Sequence, residues 1–238
     1  MDSERFVSFT ITHLETDLWI GIHPASFRSD IPGYALNLAK DLRREMDRYI
    51  DLHPLFLSSL TPLPPDRKAH VVIQKMIAAS VIAGTGPMSA VAGAFSQFIG
   101  EALIDQFGVR EIIVENGGDI YLSIQKDLEV GIFAGKSPLS NQLAVVVPSE
   151  FSPLGLCTSS GTVGPSLSFG KADAVTIACS DASLADALAT RFGNEVKTPK
   201  DIQKALQLSE DFRDILSILI IAEDQIGVKG KLAIKPMA

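Results

Sequence analysis

Four short apolar runs follow one another at residues 111–114, 120–124, 129–134 and 143–147, and the joint between the first two reads Glu115-Asn116-Gly117-Gly118-Asp119. Paired glycines reach left-handed backbone or let a ligand approach closely, while Asn and Asp close turns through their own side chains. The joint therefore predicts a tight connection between two strands, in a sheet assembled largely from sequential neighbours. Two readings of it stay open. It is a structural turn, or it is a small-molecule site in which Asp119 sets a hard oxygen beside bare backbone.

The rest of the chain divides into strand groups and long helices. Residues 5–12 and 17–23 alternate as two strands of a hairpin turning at Leu14 and Glu15. From Ser29 or Asp30 through Pro32 to Tyr49 the spacing is helical, with a solvated charged face across 40–48. The proline-rich stretch 53–65 reads as irregular, 71–82 as a buried helix, and 88–107 as a second long helix rich in Ala90, Ala92, Gly93 and Ala94. After a Ser/Thr/Gly-rich stretch at 158–170 come a strand at 174–178, a helix within 180–192 and a short helix at 201–206. A last pair of strands, 215–222 and 231–234, turns at 224–230. This alternation implies an α+β fold with long helices packed on a mixed or antiparallel sheet. With no polar linker, repeat or low-complexity tract, residues 1–238 form one domain, or two intimately packed lobes.

Composition narrows the partners. At 238 residues and 46% hydrophobic content the chain has material for a sizeable core. A net charge of −7 argues against nucleic acid, whose phosphates are met by clustered Lys and Arg. No stretch reaches the roughly eighteen consecutive apolar residues of a membrane span, and residues 1–6 are charged where a signal peptide needs an apolar segment. The expectation is a cytoplasmic protein without a membrane partner. Cys157 and Cys179 have no CxxC spacing, so zinc is not expected and both should pack as small buried residues.

Three further segments bear on chemistry. Asp186 and Thr190 are four apart in an Ala- and Leu-rich helix, which puts both oxygens on one face. Such a pair suits Mg²⁺, which takes one or two carboxylates and keeps waters; the plainer alternative is a solvated charge and an ordinary helix threonine. Gly84-Thr85-Gly86-Pro87 breaks the chain between two helices, and Pro87 at a first helical position leaves nearby amides facing an anion. It is no dinucleotide fingerprint, since Ser89 stands at the third glycine position, and a simple connection between packed helices fits it equally. The hydroxyls of 158–166 suit phosphate or sugar oxygens, although Gly164 to Gly170-Lys171 has five intervening residues where a P-loop needs four.

The order of the Asn116-to-Asp119 turn, Thr158-Ser159-Ser160-Gly161-Thr162 and Ala185-Asp186-Ala187-Leu188-Ala189-Thr190 resembles the ApbE superfamily, flavin transferases that move FMN from FAD onto a protein threonine using Mg²⁺. The chain is more similar to an uncharacterised branch, through Glu15-Thr16-Asp17-Leu18, Gly86-Pro87-Met88, residues 115–119, and the 159–164 and 166–173 segments. The resemblance implies Mg²⁺ on Asp186, Thr190 and a backbone carbonyl near Ala92. It implies FAD or another flavin nucleotide at Gly86, Asn116, Gly117, Gly118, Asp119, Ser159, Ser160, Gly161 and Thr162. Three departures weigh on turnover. No histidine lies in 166–173, Pro165 stands where the branch carries a histidine, and Gly93 stands where the transferases carry a lysine. The expectation is thus a Mg²⁺-dependent flavin nucleotide transferase or pyrophosphatase, or else a non-catalytic carrier or sensor of a nucleotide-like ligand. So apolar and Ala/Gly-rich a chain is also compatible with a homodimer.

Overall fold

The computed structural model describes residues 5–161 and 170–237. In chain order the elements are β1 (Val7–His13), β2 (Thr16–Ile22), α1 (Ile31–Leu52), α2 (Leu55–Ser58), α3 (Val71–Ala83), α4 (Val91–Phe107), β3 (Ile112–Asn116), β4 (Asp119–Ser123), β5 (Leu128–Gly131) and β6 (Leu143–Val147). There follow β7 (Leu154–Ser159), β8 (Ala174–Cys179), α5 (Ala182–Glu195), α6 (Ile202–Leu208), β9 (Ser217–Ala222), β10 (Gln225–Gly230) and β11 (Ala233–Pro236). The main sheet has eight strands in the order β1-β2-β3-β4-β7-β8-β9-β10, and a second sheet has the order β11-β6-β5. All their pairings are antiparallel. This is the α+β class that the patterning predicts.

The main sheet is the middle of three layers. Because side chains alternate across a strand, Val114, Tyr121, Cys157, Ile177 and Ile220 pack toward the helices. Their neighbours Ile113, Leu122, Leu156, Ala178 and Leu219 pack toward the small sheet. β8 and β9 are therefore buried at every position and largely apolar although the sheet is antiparallel.

On the helical side, α1 is amphipathic, burying Ile31, Ala35, Ala39, Leu42 and Met46 at three- and four-residue steps. Asp30 occupies its N-cap without a side-chain cap bond and pairs instead with Arg28. The apolar α3 and the helical stretch 87–107 that contains α4 meet at 105°, and no single helix among the described residues is long and apolar enough to cross a membrane.

Several elements differ from their sequence patterns. Residues 225–230 form strand β10 against β9, not a turn; the reversal is the tighter pair Glu223-Asp224, with Glu223 at φ 56°. Gly227 and Gly230 suggest a turn, but Gly227 is there for packing. A Cβ on it would lie 2.3 Å from Ile202 Cγ2, where α6 seats on the strand. Strand β11 crosses to the small sheet and pairs with β6. Strand β7 is absent from the sequence pattern because its end, Thr158-Ser159, reads as loop. Within 53–65 the short α2 forms, burying Phe56.

Candidate functional site

A cleft of about 1290 Å³ opens where the β1–β2 turn, α1, the start of α4, the β3–β4 turn, the end of β7 and α5 converge. The β3–β4 turn lines it. Gly117 and Gly118 adopt φ 63° and 103°, left-handed values that favour glycine. The Gly118 amide donates to Glu115 Oε1 at 2.7 Å, so Glu115 closes the turn from inside. Asn116 Nδ2 donates to the Ala92 carbonyl at 3.4 Å, and Ser96 Oγ lies 2.9 Å from that carbonyl and 3.0 Å from that of Asp119. The turn is thereby tied to the first turn of α4.

Asp186 reaches the same place from α5. That helix starts at Asp181, whose carboxylate accepts the Leu184 amide at 3.0 Å, and the Ala182 amide donates to Gln97 Oε1 at 2.8 Å. Gly93 lets α4 and α5 approach. A Cβ there would lie 2.2 Å from the Ala182 carbonyl oxygen and 2.9 Å from Asp186 Cβ. The Gly93 amide instead donates to Asp186 Oδ2 at 2.9 Å. Gly93 is therefore a helix-crossing residue that orients the carboxylate, with no room for a lysine.

Two buried carboxylates result, side by side. Burial pushes Asp186 up to about 7, against the opposing hydrogen bonds from the Gly93 and Ala92 amides. Burial also raises Asp119 well above the carboxylate range, and the Asp186 charge raises it further. Asp119 Oδ1 is buried without a hydrogen-bond partner among the described residues. The adjacent Cys157 thiol is pushed up by burial and then by both aspartates, so it remains a neutral thiol.

An orphaned acceptor beside a second carboxylate calls for a cation or a shared proton. The donors are hard oxygens: Asp119, Asp186, the Thr190 hydroxyl and the Ala92 carbonyl. Among the described residues no three His, Cys, Asp or Glu side chains converge into a full metal cage. That sparse oxygen set fits Mg²⁺ better than a soft or fully caged metal.

Asn116, Gly117, Gly118, Asp119, Ser159, Ser160, Asp186 and Thr190 come together in the walls of the cleft. Gly86 has another place. It packs on the backbone of Ser59, where a Cβ would sit 1.8 Å from the carbonyl oxygen, and its own carbonyl accepts the Ser89 amide. Gly161 bonds through its amide to the Ala172 carbonyl at 2.9 Å, beside the cleft walls. Thr162 and Pro165 lie outside the described residues. No histidine or lysine lines the cleft among the described residues. His23 and His70 instead accept helix-start amides through Nδ1, and His53 stacks on Tyr49.

Sequence reasoning missed Trp19, Arg43, Asp47 and Phe133, which also line the cleft. Arg43 reads as part of a solvated charge run, yet it follows the buried Ala39 by four residues and precedes the buried Met46 by three. That spacing carried the signal. Glu15, Asp47, Asp51, Glu115, Asp119 and Asp186 put six carboxylates in the described walls against one cation, Arg43.

A family model described as AbpE bacteria matches residues 1–222. A UPF0280 protein of Methanococcus aeolicus is 40% identical over 205 residues, covering 83% of this chain and 82% of the relative. Another, from Methanosarcina acetivorans, is 42% identical over 191 residues, covering 80% and 75%. Among solved structures, the apo flavinyl transferase ApbE of Pseudomonas stutzeri superposes with a TM-score of 0.62 at 14% identity, covering 96% of each chain. The flavin transferase ApbE of Vibrio cholerae superposes with a TM-score of 0.58 at 12% identity, covering 96% of this chain and 97% of its own. At such identities these two similarities establish the fold.

Proposed function

The chain belongs to the AbpE bacteria family, within the ApbE-like superfamily, and from that premise we propose that it binds a flavin nucleotide such as FAD together with Mg²⁺. The observation that carries this reading is the buried pair Asp119 and Asp186, with an orphaned oxygen on Asp119, at the base of a cleft large enough for a dinucleotide. Asp186, Thr190, Asp119 and the Ala92 carbonyl would hold the ion, which when bound supplies positive charge to neutralise a diphosphate. The left-handed Gly117-Gly118 turn leaves backbone bare for close approach of the ligand. Ser159 and Ser160 offer hydroxyls to sugar or phosphate oxygens from the end of β7.

Binding is better supported than turnover. The described walls hold no histidine, lysine or thiolate to take a proton from an acceptor or give one to a leaving group. A second reading, FMN transfer or FAD hydrolysis, draws on the ion that Asp186 would hold, which when bound would neutralise charge on the leaving phosphate. Titrating the protein with FAD, with and without Mg²⁺, and chromatographing the samples for FMN and AMP separates the two. Mg²⁺-dependent retention of intact FAD supports a carrier or sensor; release of FMN and AMP supports the enzyme. No Mg²⁺-dependent binding overturns both.

A further inference from the structure

The Glu15-Thr16-Asp17-Leu18 motif and the inner face of α1 form a wall of the cleft that the carboxylate pair does not use. Arg43 lies in this wall with 16% of its side chain exposed. One guanidinium nitrogen is 2.5 Å from Glu15 Oε2 and 4.0 Å from Asp47 Oδ1. Its Nε is buried with no hydrogen-bond partner among the described residues. A buried donor left unfilled is costly, and the planar guanidinium fork matches phosphoryl oxygens through two parallel N–H bonds.

Its present partner is built to leave. The Glu15 side chain is 77% exposed, so its ion pair is screened by solvent and weak. The backbone beneath it is held firmly, with Leu14 in the left-handed region at φ 54°, Thr12 Oγ1 bonded to Asp17 Oδ1 at 3.2 Å, and Thr16 buried.

We propose that Arg43 is the phosphate-recognition residue of the cleft, and that Glu15 is a built-in stand-in for the ligand's phosphate, displaced when the nucleotide enters. This inference rests on the flavin-nucleotide reading, because the phosphates are that ligand's anionic groups. It also assigns a role to the Glu15 position of the motif, a carboxylate that occupies the guanidinium until a phosphate replaces it.

Calorimetric titration of the whole chain with FAD, riboflavin and inorganic pyrophosphate, all in Mg²⁺, tests it on wild type, Arg43→Gln and Glu15→Gln. Arg43→Gln should weaken FAD and pyrophosphate by about ten- to a hundredfold, the worth of a charge-assisted hydrogen bond, and leave riboflavin unchanged. Glu15→Gln, an exposed change with no folding consequence, should tighten FAD and pyrophosphate several-fold. Equal loss of FAD and riboflavin in folded Arg43→Gln would overturn the proposal, as would unchanged FAD affinity. Should Arg43→Gln fail to fold, Glu15→Gln decides, and unchanged or weaker affinity overturns it. Arg43-dependent binding of pyrophosphate without any flavin would keep the Arg43 assignment and remove the flavin reading. Flavin binding indifferent to Arg43 would do the reverse, and a wild-type protein that binds none of the three probes would overturn both.

Discussion

Two buried carboxylates flank strands β3 and β4, and their surroundings are opposite. Glu111, just before β3, accepts from Arg5 through both oxygens, and its Oε1 also takes the amides of Gln125 and Lys126. Burial works to raise its carboxyl, but the Arg5 guanidinium and the two amides outweigh it and hold the group below its ordinary value. Asp119, at the start of β4, meets a second carboxylate and keeps one oxygen orphaned. A satisfied buried charge is architecture. A frustrated one in a cleft marks the place where something else must bind.

The sharpest test of that contrast is Asp186→Ala. It should reduce Mg²⁺-dependent FAD affinity by about a hundredfold or more, as expected when a charged partner of a buried site is removed, while the melting temperature without metal stays level or rises. Unchanged affinity would remove Asp186 from the metal site and erase the distinction. Glu111→Ala should do the converse. It strands Arg5 and costs about 3 kcal/mol of unfolding free energy in a urea titration, with FAD affinity of the folded protein unchanged; a stability loss under about 1 kcal/mol would show the Arg5 clamp to be ornamental.

The same pair predicts opposite slopes with pH. Asp119 and Asp186 are raised above their unfolded values, so between about pH 4 and about pH 7 the native state binds more protons than the unfolded chain. Metal-free protein should therefore lose stability as pH climbs through that window, and Mg²⁺ should restore it most at the upper end. Glu111 is lowered, so its contribution is present above its unfolded value and disappears as pH falls below about 4. Thermal melts of Asp119→Asn and Glu111→Gln across pH check both signs. Asp119→Asn should reduce the upper slope and the double variant Asp119→Asn/Asp186→Asn should flatten it; a slope that survives the double variant would place the titrating group elsewhere.

The smallest effect belongs to the turn that joins the two regions. Gly117→Ala adds a methyl into open space but forces an L-residue to φ 63°, which should cost about 1–2 kcal/mol in the same titration. A neutral result would mean that the turn relaxes out of the left-handed region.

Much of this arrangement is legible in the sequence. Leu14-Glu15 turns the hairpin, Gly117-Gly118 turns β3 into β4, and the stretches around Ala39 and Asp186 are helical, because periodicity and turn chemistry act over a few residues. The strand character of 225–230 is not, since Gly227 belongs to a strand only where α6 needs the room. Gly86 shows the same limit: its lack of a side chain serves the backbone of Ser59, a contact its own neighbours do not announce.

The sequence by itself determined the class of fold, the turn at residues 116–119 and the helix face that carries Asp186 and Thr190. Only the tertiary structure decided that Asp119 and Asp186 meet, that Gly93 is the crossing point of two helices, and that Arg43 faces a cleft instead of water. Local patterns specify which way a side chain points from its own element; how far it is from a charge on another element, and whether water lies between, is set by packing across the whole chain.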